Sequence, residues 1–351
     1  MTAKIPKIVI HNLKTVVPKS PGTGEAGRIA VIGAFKTTET NPKLFDSLSA
    51  AQTSFGDDTT FDGCAALPYL FMNGATSLLC VNVSTESSGT WTKTLDATNL
   101  ASSLAKIKGE DWDILFVCAP LSDTFLPIID AYLESTFSMK YPAGFIGCLT
   151  GGSDAANVTS AGLTGEHCYG LTTQQFTVGG TQLSVLNSAA YYAGLIAGMT
   201  VGNTMTMKTI PDVTAVSPEY SYETAGSGKI LLEAGITTVK CADRNASRYI
   251  VVNSEQPNGL DLYINRVRDY VVKELSLHEF LGERNNTATL AEIQHEVDRV
   301  KKECTTSLDL LNDIKYTISK VSSDKVEINI QKLLFDGLIT EIDVYVTLEV
   351  Q

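Results

Sequence analysis

The chain has 351 residues, of which 44% are hydrophobic and 19% charged, and a formal net charge of −12. This length favours two packed units over one core. Lys301-Lys302 is the longest basic run, which argues against nucleic acid as a partner, because phosphate binding requires clustered cations.

The N-terminal segment shows a β pattern followed by a break. Residues 7–17 (KIVIHNLKTVV) resemble a strand, and a Pro/Gly loop follows. We therefore expect an N-terminal arm and tether over residues 1–20, with the tether reaching to about residue 27. The opening residues contain no apolar signal-peptide core, and the most apolar stretch, 189–199, is too short to cross a bilayer. We expect no membrane insertion by this chain.

Residues 28–255 alternate apolar strand patterns with helical ones. Strand-length runs such as IAVIGAF (29–35) and SLLCVNV (77–83) are separated by helical segments. This alternation predicts an α/β domain with a mostly parallel sheet, with a possible sub-domain over 85–190. The segments FTVGGTQ and TTVKCADRNASRYIVV each favour a hairpin. Cysteines inside apolar runs indicate folding in a reducing compartment, such as a cytoplasm.

Residues 256–351 form a second predicted unit, so that the whole chain is α+β. A helix is expected to end at Gly282, and another to begin with a capping box at Thr289 and Glu292. A strand pair that turns near Ser322 follows. The last segment alternates apolar and polar residues with period two up to residue 350.

Both ends of the chain therefore end in strands. Terminal strands fray unless a sheet holds them, so we expect either pairing within the chain or addition to other copies. The expected inter-subunit strands use these apolar residues: Ile8, Val9, Ile10, Leu13, Val16, Val17, Ile342, Val344, Val346, Leu348 and Val350.

The chemistry-bearing motifs are weak. Gly22, Gly24 and Gly27 have the spacing of a dinucleotide fingerprint, but a strand pattern follows where that fingerprint opens a helix. A flexible joint is the better interpretation, with Pro21 and these glycines as hinge. Neighbouring His167 and Cys168 do not make a catalytic pair, since nucleophile and base are assembled in space. No catalytic residue, cofactor or metal is expected.

Several stretches together resemble the tail sheath proteins of contractile phages, R-type bacteriocins and related contractile injection systems, the clostridial type in particular. They are GRIAVIGAF…NPKLFDSLSAAQTSFG, SAAYYAGLIAGMTVGNTMTMKTIPDV, GKILLEAGITTVKCADRNASRYIVVNS, INRVRDYVVKEL…FLGERNN and FDGLITEIDVYVTLEV.

The resemblance implies a structural subunit that stacks as hexameric rings around an inner tail tube and contracts to drive the tube through a cell envelope. Its terminal strands would insert into sheets of neighbouring subunits. The implied partners are other copies, the tube protein, and baseplate and tail terminator proteins, within a virion tail or an extracellular phage-tail-like particle. Lys301 and Lys302 are candidates for a tube-facing surface, with an ordinary solvated helix face as the alternative. An α/β enzyme with a small-molecule site at strand ends remains the competing class.

Overall fold

The computed structural model describes residues 16–18, 27–138, 142–149, 154–163, 165–223, 226–242, 248–275 and 280–335. The strands are β1 (Val16–Pro18), β2 (Arg28–Gly33), β3 (Lys43–Phe45), β4 (Ser77–Asn82), β5 (Thr85–Ser87), β6 (Thr90–Thr92), β7 (Ile114–Val117), β8 (Gly144–Cys148), β9 (Cys168–Thr172), β10 (Gln175–Val178), β11 (Thr181–Gln182), β12 (Val213–Ser217), β13 (Val239–Cys241), β14 (Tyr249–Val251), β15 (Asp313–Ser322) and β16 (Lys325–Phe335). The helices are α1 (Leu48–Phe55), α2 (Asp62–Met72), α3 (Ala97–Lys106), α4 (Phe125–Ser138), α5 (Asp154–Ala161), α6 (Val185–Gly198), α7 (Ser227–Glu233), α8 (Leu262–Glu274) and α9 (Thr287–Lys302).

The main sheet has the order β3-β4-β2-β7-β8-β9. All neighbouring strands are parallel except β3, which pairs antiparallel with β4. The parallel strands follow the order 2-1-3-4-5 of a doubly wound sheet. This confirms the α/β class predicted from the alternation of helix and strand. Residues 85–190 supply β7, β8 and β9 to this sheet, and the domain limits drawn from the sequence stay predictions.

Helices cover both faces of the main sheet. Ile29 and Val31 of β2 point to a core shared with α2 and α6, whereas Ala30 and Ile32 point to a core shared with α3 and α4. Burial on both faces explains why the strand reads as a continuous apolar run.

Helices α2 and α6 approach each other closely. A Cβ built on Gly194 would lie 2.5 Å from the carbonyl oxygen of Leu70 and 2.8 Å from that of Tyr69. The small residue therefore sets the distance between the two helices.

The hairpins expected near Gly179 and after Ile236 are present as β10–β11 and β13–β14. Strand β3 had not been predicted. It is three residues long, and Lys43 and Leu44 are exposed, so it lacks the apolar run that identified the other strands of the sheet.

A third core joins α8, α9 and the β15–β16 hairpin. Helix α9 packs on this core through Val297 and Val300, followed by Cys304 in the next turn. Ile293, four residues before Val297, is also buried. Helix α9 passes directly into a single wider turn over residues 303–307.

Two helix boundaries differ from the predictions. Helix α8 ends at Glu274, well before Gly282, because Leu275 already has extended backbone angles. The predicted capping box of α9 is also wrong. Asn286 is the N-cap, and its side-chain oxygen accepts hydrogen bonds from the backbone N–H of Ala288 and Thr289. Thr289 lies within the first turn.

Candidate assembly surface

A small sheet with the order β1-β16-β15 lies at the C-terminal end of the described chain. Strands β15 and β16 form a long antiparallel hairpin. Strand β1 pairs parallel to the end of β16, with Val16 opposite Leu333, Val17 opposite Leu334 and Pro18 opposite Phe335. The sheet therefore joins the N-terminal segment to the last described strand.

Helix α9 holds the hairpin on one face. The Tyr316 hydroxyl donates a hydrogen bond to Asp298 Oδ1 at 2.6 Å, and Lys320 Nζ donates to the carbonyl of Asn285 at 2.6 Å. Apolar side chains of the same hairpin face pack on the third core: Ile314, Ile318, Ile328, Ile330 and Leu333. The opposite face carries mostly polar side chains.

The outer edge of β15 is open. Among the described residues, β15 pairs only with β16, and its ten residues, DIKYTISKVS, include no proline. A long edge strand without proline can template another strand, because its outward backbone groups lack partners in a sheet. This edge is where a further strand can be added.

The structure describes two of the predicted inter-subunit residues, Val16 and Val17, and pairs their backbone with the same chain. Of the two outcomes expected for a terminal strand, pairing within the chain or addition to another copy, these residues show the first. The other strand residues lie outside the described residues: Ile8, Val9, Ile10, Leu13, Ile342, Val344, Val346, Leu348 and Val350. Their exchange between subunits stays a prediction.

Of the predicted hinge residues, Gly27 is described. It is buried, its carbonyl accepts a hydrogen bond from Thr76 N at 2.8 Å, and an added Cβ would lie 2.8 Å from Thr76. Gly27 is therefore where the segment meets the body. Pro21, Gly22 and Gly24 lie outside the described residues.

The two candidate tube-facing lysines differ. Lys301 Nζ lies 2.6 Å from Asp313 Oδ1 and donates to the carbonyl of Ile314 at 3.1 Å, which ties α9 to the base of β15. Lys302 is exposed. The tube-facing role stays a prediction for both, and Lys302 is the residue with its side chain open to solvent.

Helix α8 has two different faces and lies between the main sheet and the third core. Tyr263, Val267 and Val271 pack in the third core. Asn265, Asp269 and Lys273, spaced by four residues, face the α/β body. Asn265 donates to the carbonyls of Gly165 and Cys168 at 3.3 and 3.4 Å.

A buried charge network occupies the middle of this interface. Arg268 donates to Asp269 Oδ1 at 2.7 Å and to Glu166 at 3.2 Å. The Tyr169 hydroxyl donates to Asp269 Oδ2 at 2.7 Å. Burial raises the pKa of Asp269, although Arg268 and the two hydrogen bonds favour its ionised form.

His167 belongs to the same network. Its ring nitrogens lie 3.1 Å from Glu134 Oε2 and 3.3 Å from Arg268 Nη2. Burial, and then the neighbouring Arg268 cation, lower the pKa of His167 to about 3, so the ring is neutral at pH 7. The network positions α8. Cys168, the next residue after His167, is buried in the core shared with α3 and α4.

The crevice where doubly wound folds bind ligands is filled by the protein itself. It lies at the carboxyl ends of β2 and β7, the switch point of the strand order. A Cβ on Gly33 would lie 2.6 Å from Cys118 Cβ, and Gly63 donates its N–H to the carbonyl of Ala34 at 2.9 Å. Asn82 Oδ1 also accepts a hydrogen bond from Phe35 N at 3.0 Å. The ends of β2, β4 and β7 are therefore closely packed at this position.

The described residues contain no group of three or more His, Cys, Asp or Glu side chains placed to hold a metal ion. None of their helices combines the length and the apolar content that crossing a bilayer requires.

Comparison by sequence gives no match to a protein-family model and none to a curated protein. Comparison by structure gives clear matches. The sheath tail protein of Listeria innocua aligns at a TM-score of 0.62 with 10% identity, covering 90% of this chain and 96% of that chain. The sheath tail protein of Desulfitobacterium hafniense aligns at 0.59 with 12% identity, covering 91% and 98%.

The contracted helical sheath of the anti-feeding prophage aligns over nearly the whole of both chains. Its TM-score is 0.66 at 13% identity, with 99% of this chain and 100% of that chain covered. A chain of the baseplate structure of the same particle aligns at 0.68 with equal coverage. The chain therefore has the fold of the sheath proteins of contractile tails.

Proposed function

We propose that this chain is a tail sheath subunit. It assembles as stacked hexameric rings around an inner tail tube, contacts baseplate and terminator proteins at the two ends, and contracts to drive the tube through a target envelope. The subunit is made in a bacterial cytoplasm and works in a virion tail or a phage-tail-like particle. The observation that carries the proposal is the alignment with a contracted helical sheath over 99% of this chain and all of the other.

The small C-terminal sheet supports this proposal physically. It accepts a parallel strand at the β16 edge and leaves the β15 edge open. Strand addition uses backbone hydrogen bonds, which are individually modest and nearly independent of side-chain identity. The same β16 edge can take the arm of its own chain in the free subunit and that of a neighbour in the assembly, which is a strand exchange of the domain-swapping kind.

The first test is negative-stain electron microscopy of the purified chain at high concentration, alone and with the tube protein. Hollow striated tubes of uniform width are the expected result. Deletion of residues 1–18 or 341–351 should abolish the tubes and leave the circular dichroism spectrum of the subunit unchanged. Monodisperse particles in both conditions would contradict the proposal and favour the alternative of an α/β enzyme.

A cross-linking test examines the exchange itself. Val17→Cys and Leu334→Cys are combined in a Cys241→Ser background, because the other six native cysteines are buried. The paired backbone positions place the two new thiols within reach of each other. Oxidation should give a monomer band from the free subunit and a multimer ladder from assembled tubes on a non-reducing gel. A monomer band from both samples would exclude exchange at this edge.

The tether can be tested by length. Removing five of the residues 19–26 should leave the unfolding curve of the subunit intact, because the body begins at the fixed Gly27. It should block assembly or contraction, since the arm loses reach. A matched insertion of five Gly/Ser residues at the same place is the control and should be tolerated. Normal contraction of the shortened variant would remove the hinge role.

The tube-facing prediction is best tested at Lys302, which is exposed. Weak polar contacts suit a surface that must release after contraction. Lys302→Glu should reduce co-purification of the tube protein, whereas Lys229→Glu on the exposed face of α7 serves as the control. Equal recovery of the tube with both variants would remove this face as the contact.

A further inference from the structure

The base of the N-terminal segment is attached to one carboxylate. Asp113, just before β7, accepts hydrogen bonds at Oδ2 from the backbone N–H of Gly27 at 3.2 Å and of Arg28 at 3.3 Å. The attachment therefore holds the backbone itself at the residue where the tether enters the body. It does not depend on a side chain of the tether.

The other oxygen of Asp113 reaches the C-terminal half of the chain. Lys273, at the end of α8, places Nζ 2.8 Å from Asp113 Oδ1 and 2.9 Å from Asp111 Oδ1. Arg28 in turn contacts Asp111. Burial acts to lower the pKa of Lys273, but the two carboxylates outweigh it and raise that pKa. Four charges thus connect the tether base to α8.

Helix α8 also contacts the sheet that receives strands. The rings of Tyr263 on α8 and Phe335 at the end of β16 meet edge to face, with centroids 5.8 Å apart. Phe335 is the residue that pairs with Pro18 of β1. A continuous set of contacts therefore leads from the arm-accepting end of β16, along α8, to the base of the chain's own arm.

The charge cluster is poorly suited to holding the free subunit together. The side chains of Lys273, Asp113 and Asp111 are 39%, 18% and 56% exposed, and ion pairs between partly exposed side chains contribute little to folding. Their position is more informative than their strength, because they join the two parts of the subunit that a strand-linked assembly would pull apart.

We propose that Asp111, Asp113 and Lys273 form a mechanical link between the donor arm and the acceptor sheet of each subunit. This inference rests on the proposed function, because it requires that the arm be held by a neighbouring copy. Tension on the arm passes through the Gly27–Asp113 hydrogen bonds and Lys273 to α8, and from α8 to the sheet that holds the next arm.

Two variants break the link without removing buried groups. Lys273→Met keeps the aliphatic stem and removes the charge. Asp113→Asn keeps an oxygen acceptor for Gly27 and Arg28 and removes the attraction to Lys273. The control is Lys36→Met, which breaks the Lys36–Asp58 pair at 3.0 Å with side chains 49% and 29% exposed and lies off the path.

The first readout uses the free subunit. Hydrogen exchange at the Gly27 and Arg28 amides should quicken about five-fold in Lys273→Met and stay unchanged in Lys36→Met, because loss of about 1 kcal/mol corresponds to about that factor. Unchanged exchange at these two amides in Lys273→Met would overturn the link.

The second readout uses assembled tubes. Both link variants should assemble and then dissociate about five- to ten-fold faster than wild type in a fixed urea concentration, and the double variant should be no faster than either single one. Dissociation equal to that of Lys36→Met would overturn the inference while the sheath function stands. Failure of the wild type to form tubes would instead overturn the proposed function.

Discussion

The hydroxyl of Tyr169 donates a 2.7 Å hydrogen bond to Asp269 Oδ2 in the buried interface between the main sheet and α8. Both residues are almost fully buried, at 4% exposure each. Asp269 also accepts from Arg268 through its other oxygen. One carboxylate thus joins an edge strand of the α/β sheet to the helix that carries the C-terminal sheet.

Tyr169→Phe should therefore cost more stability than the loss of an ordinary tyrosine hydrogen bond. Hydrogen bonds to charged groups contribute about 1.5–3 kcal/mol, against about 0.5–1.5 kcal/mol for neutral pairs. The matched control is Tyr191→Phe, which removes a 2.8 Å bond to the neutral carbonyl of Pro211. Urea unfolding of both variants gives the comparison, and an equal loss would mean that the carboxylate contributes nothing extra.

Stability should fall as the pH is lowered from 7 to 5.5 because of His167. Its pKa is about 3 in the folded chain and about 6.5 when unfolded. The unfolded state therefore takes up the proton first, and unfolding becomes more favourable below pH 6.5 by about 1 kcal/mol at pH 5.5. The full loss would be reached only as the pH falls through 3.

His167→Gln should flatten this pH dependence, whatever its effect on stability at pH 7. The control is His295→Gln, because His295 is exposed on α9. Urea unfolding free energies at several pH values between 5.5 and 7 provide the slopes. A wild-type slope that persists in His167→Gln would show that another group causes the loss.

Gly194→Ala should destabilise the chain although alanine is the better helix former. Helix propensity alone would favour alanine by about 1 kcal/mol. The added Cβ would lie 2.5 Å from the Leu70 carbonyl oxygen, and backbone cannot move aside cheaply, so a net loss of about 1–3 kcal/mol is expected. A rise in melting temperature would show that α2 and α6 can separate without cost.

How much of this molecule could be predicted from sequence depends on which contacts an element uses. The apolar strands of the main sheet and the stripe on α9 follow from local pattern, because burial there is continuous or periodic. The polar face of α8 is different. Asn265, Asp269 and Lys273 repeat every four residues, which in sequence is typical of a solvated helix face. Asn265 and Asp269 are buried instead, and this depends on partners such as Tyr169, about 100 positions earlier, which no local pattern reveals.

The start of α9 differs from the prediction for a local reason. Thr289 and Glu292 match a capping box, but Asn286 lies three residues earlier and caps the helix first. Asn286→Ala should cost about 1 kcal/mol, the usual loss for an N-cap, and Glu292→Ala should cost almost nothing. Thermal unfolding of the two variants distinguishes the Asn286 cap from the capping box. A larger loss of stability in Glu292→Ala than in Asn286→Ala would support the capping box.

If the predicted C-terminal strand adds to the β15 edge, the charges of the hairpin favour one register over the other. Lys315 is exposed on the outer face, directly opposite Lys332 of β16, and like charges in such a pair are unfavourable. An antiparallel strand that uses the full edge would place Glu349 beside Lys315. The parallel alternative would place Asp343 beside Lys315 but also Glu341 beside Asp313, which repels. Both registers keep the apolar residues on the inner face, with Leu348 beside Tyr316 in the antiparallel one and Val344 beside it in the parallel one, so the charges distinguish them.

Lys315→Glu should therefore lower the tube yield, and Glu349→Lys in the same chain should restore it. The matched control is Lys332→Glu, which relieves the same lysine pair but sits on the central strand, away from the β15 edge; its tubes should form normally. Tube yield by sedimentation and electron microscopy is the measurement. Rescue of Lys315→Glu by Asp343→Lys instead of Glu349→Lys would establish the parallel register. A wild-type tube yield from Lys315→Glu alone would show that the C-terminal strand does not use this edge.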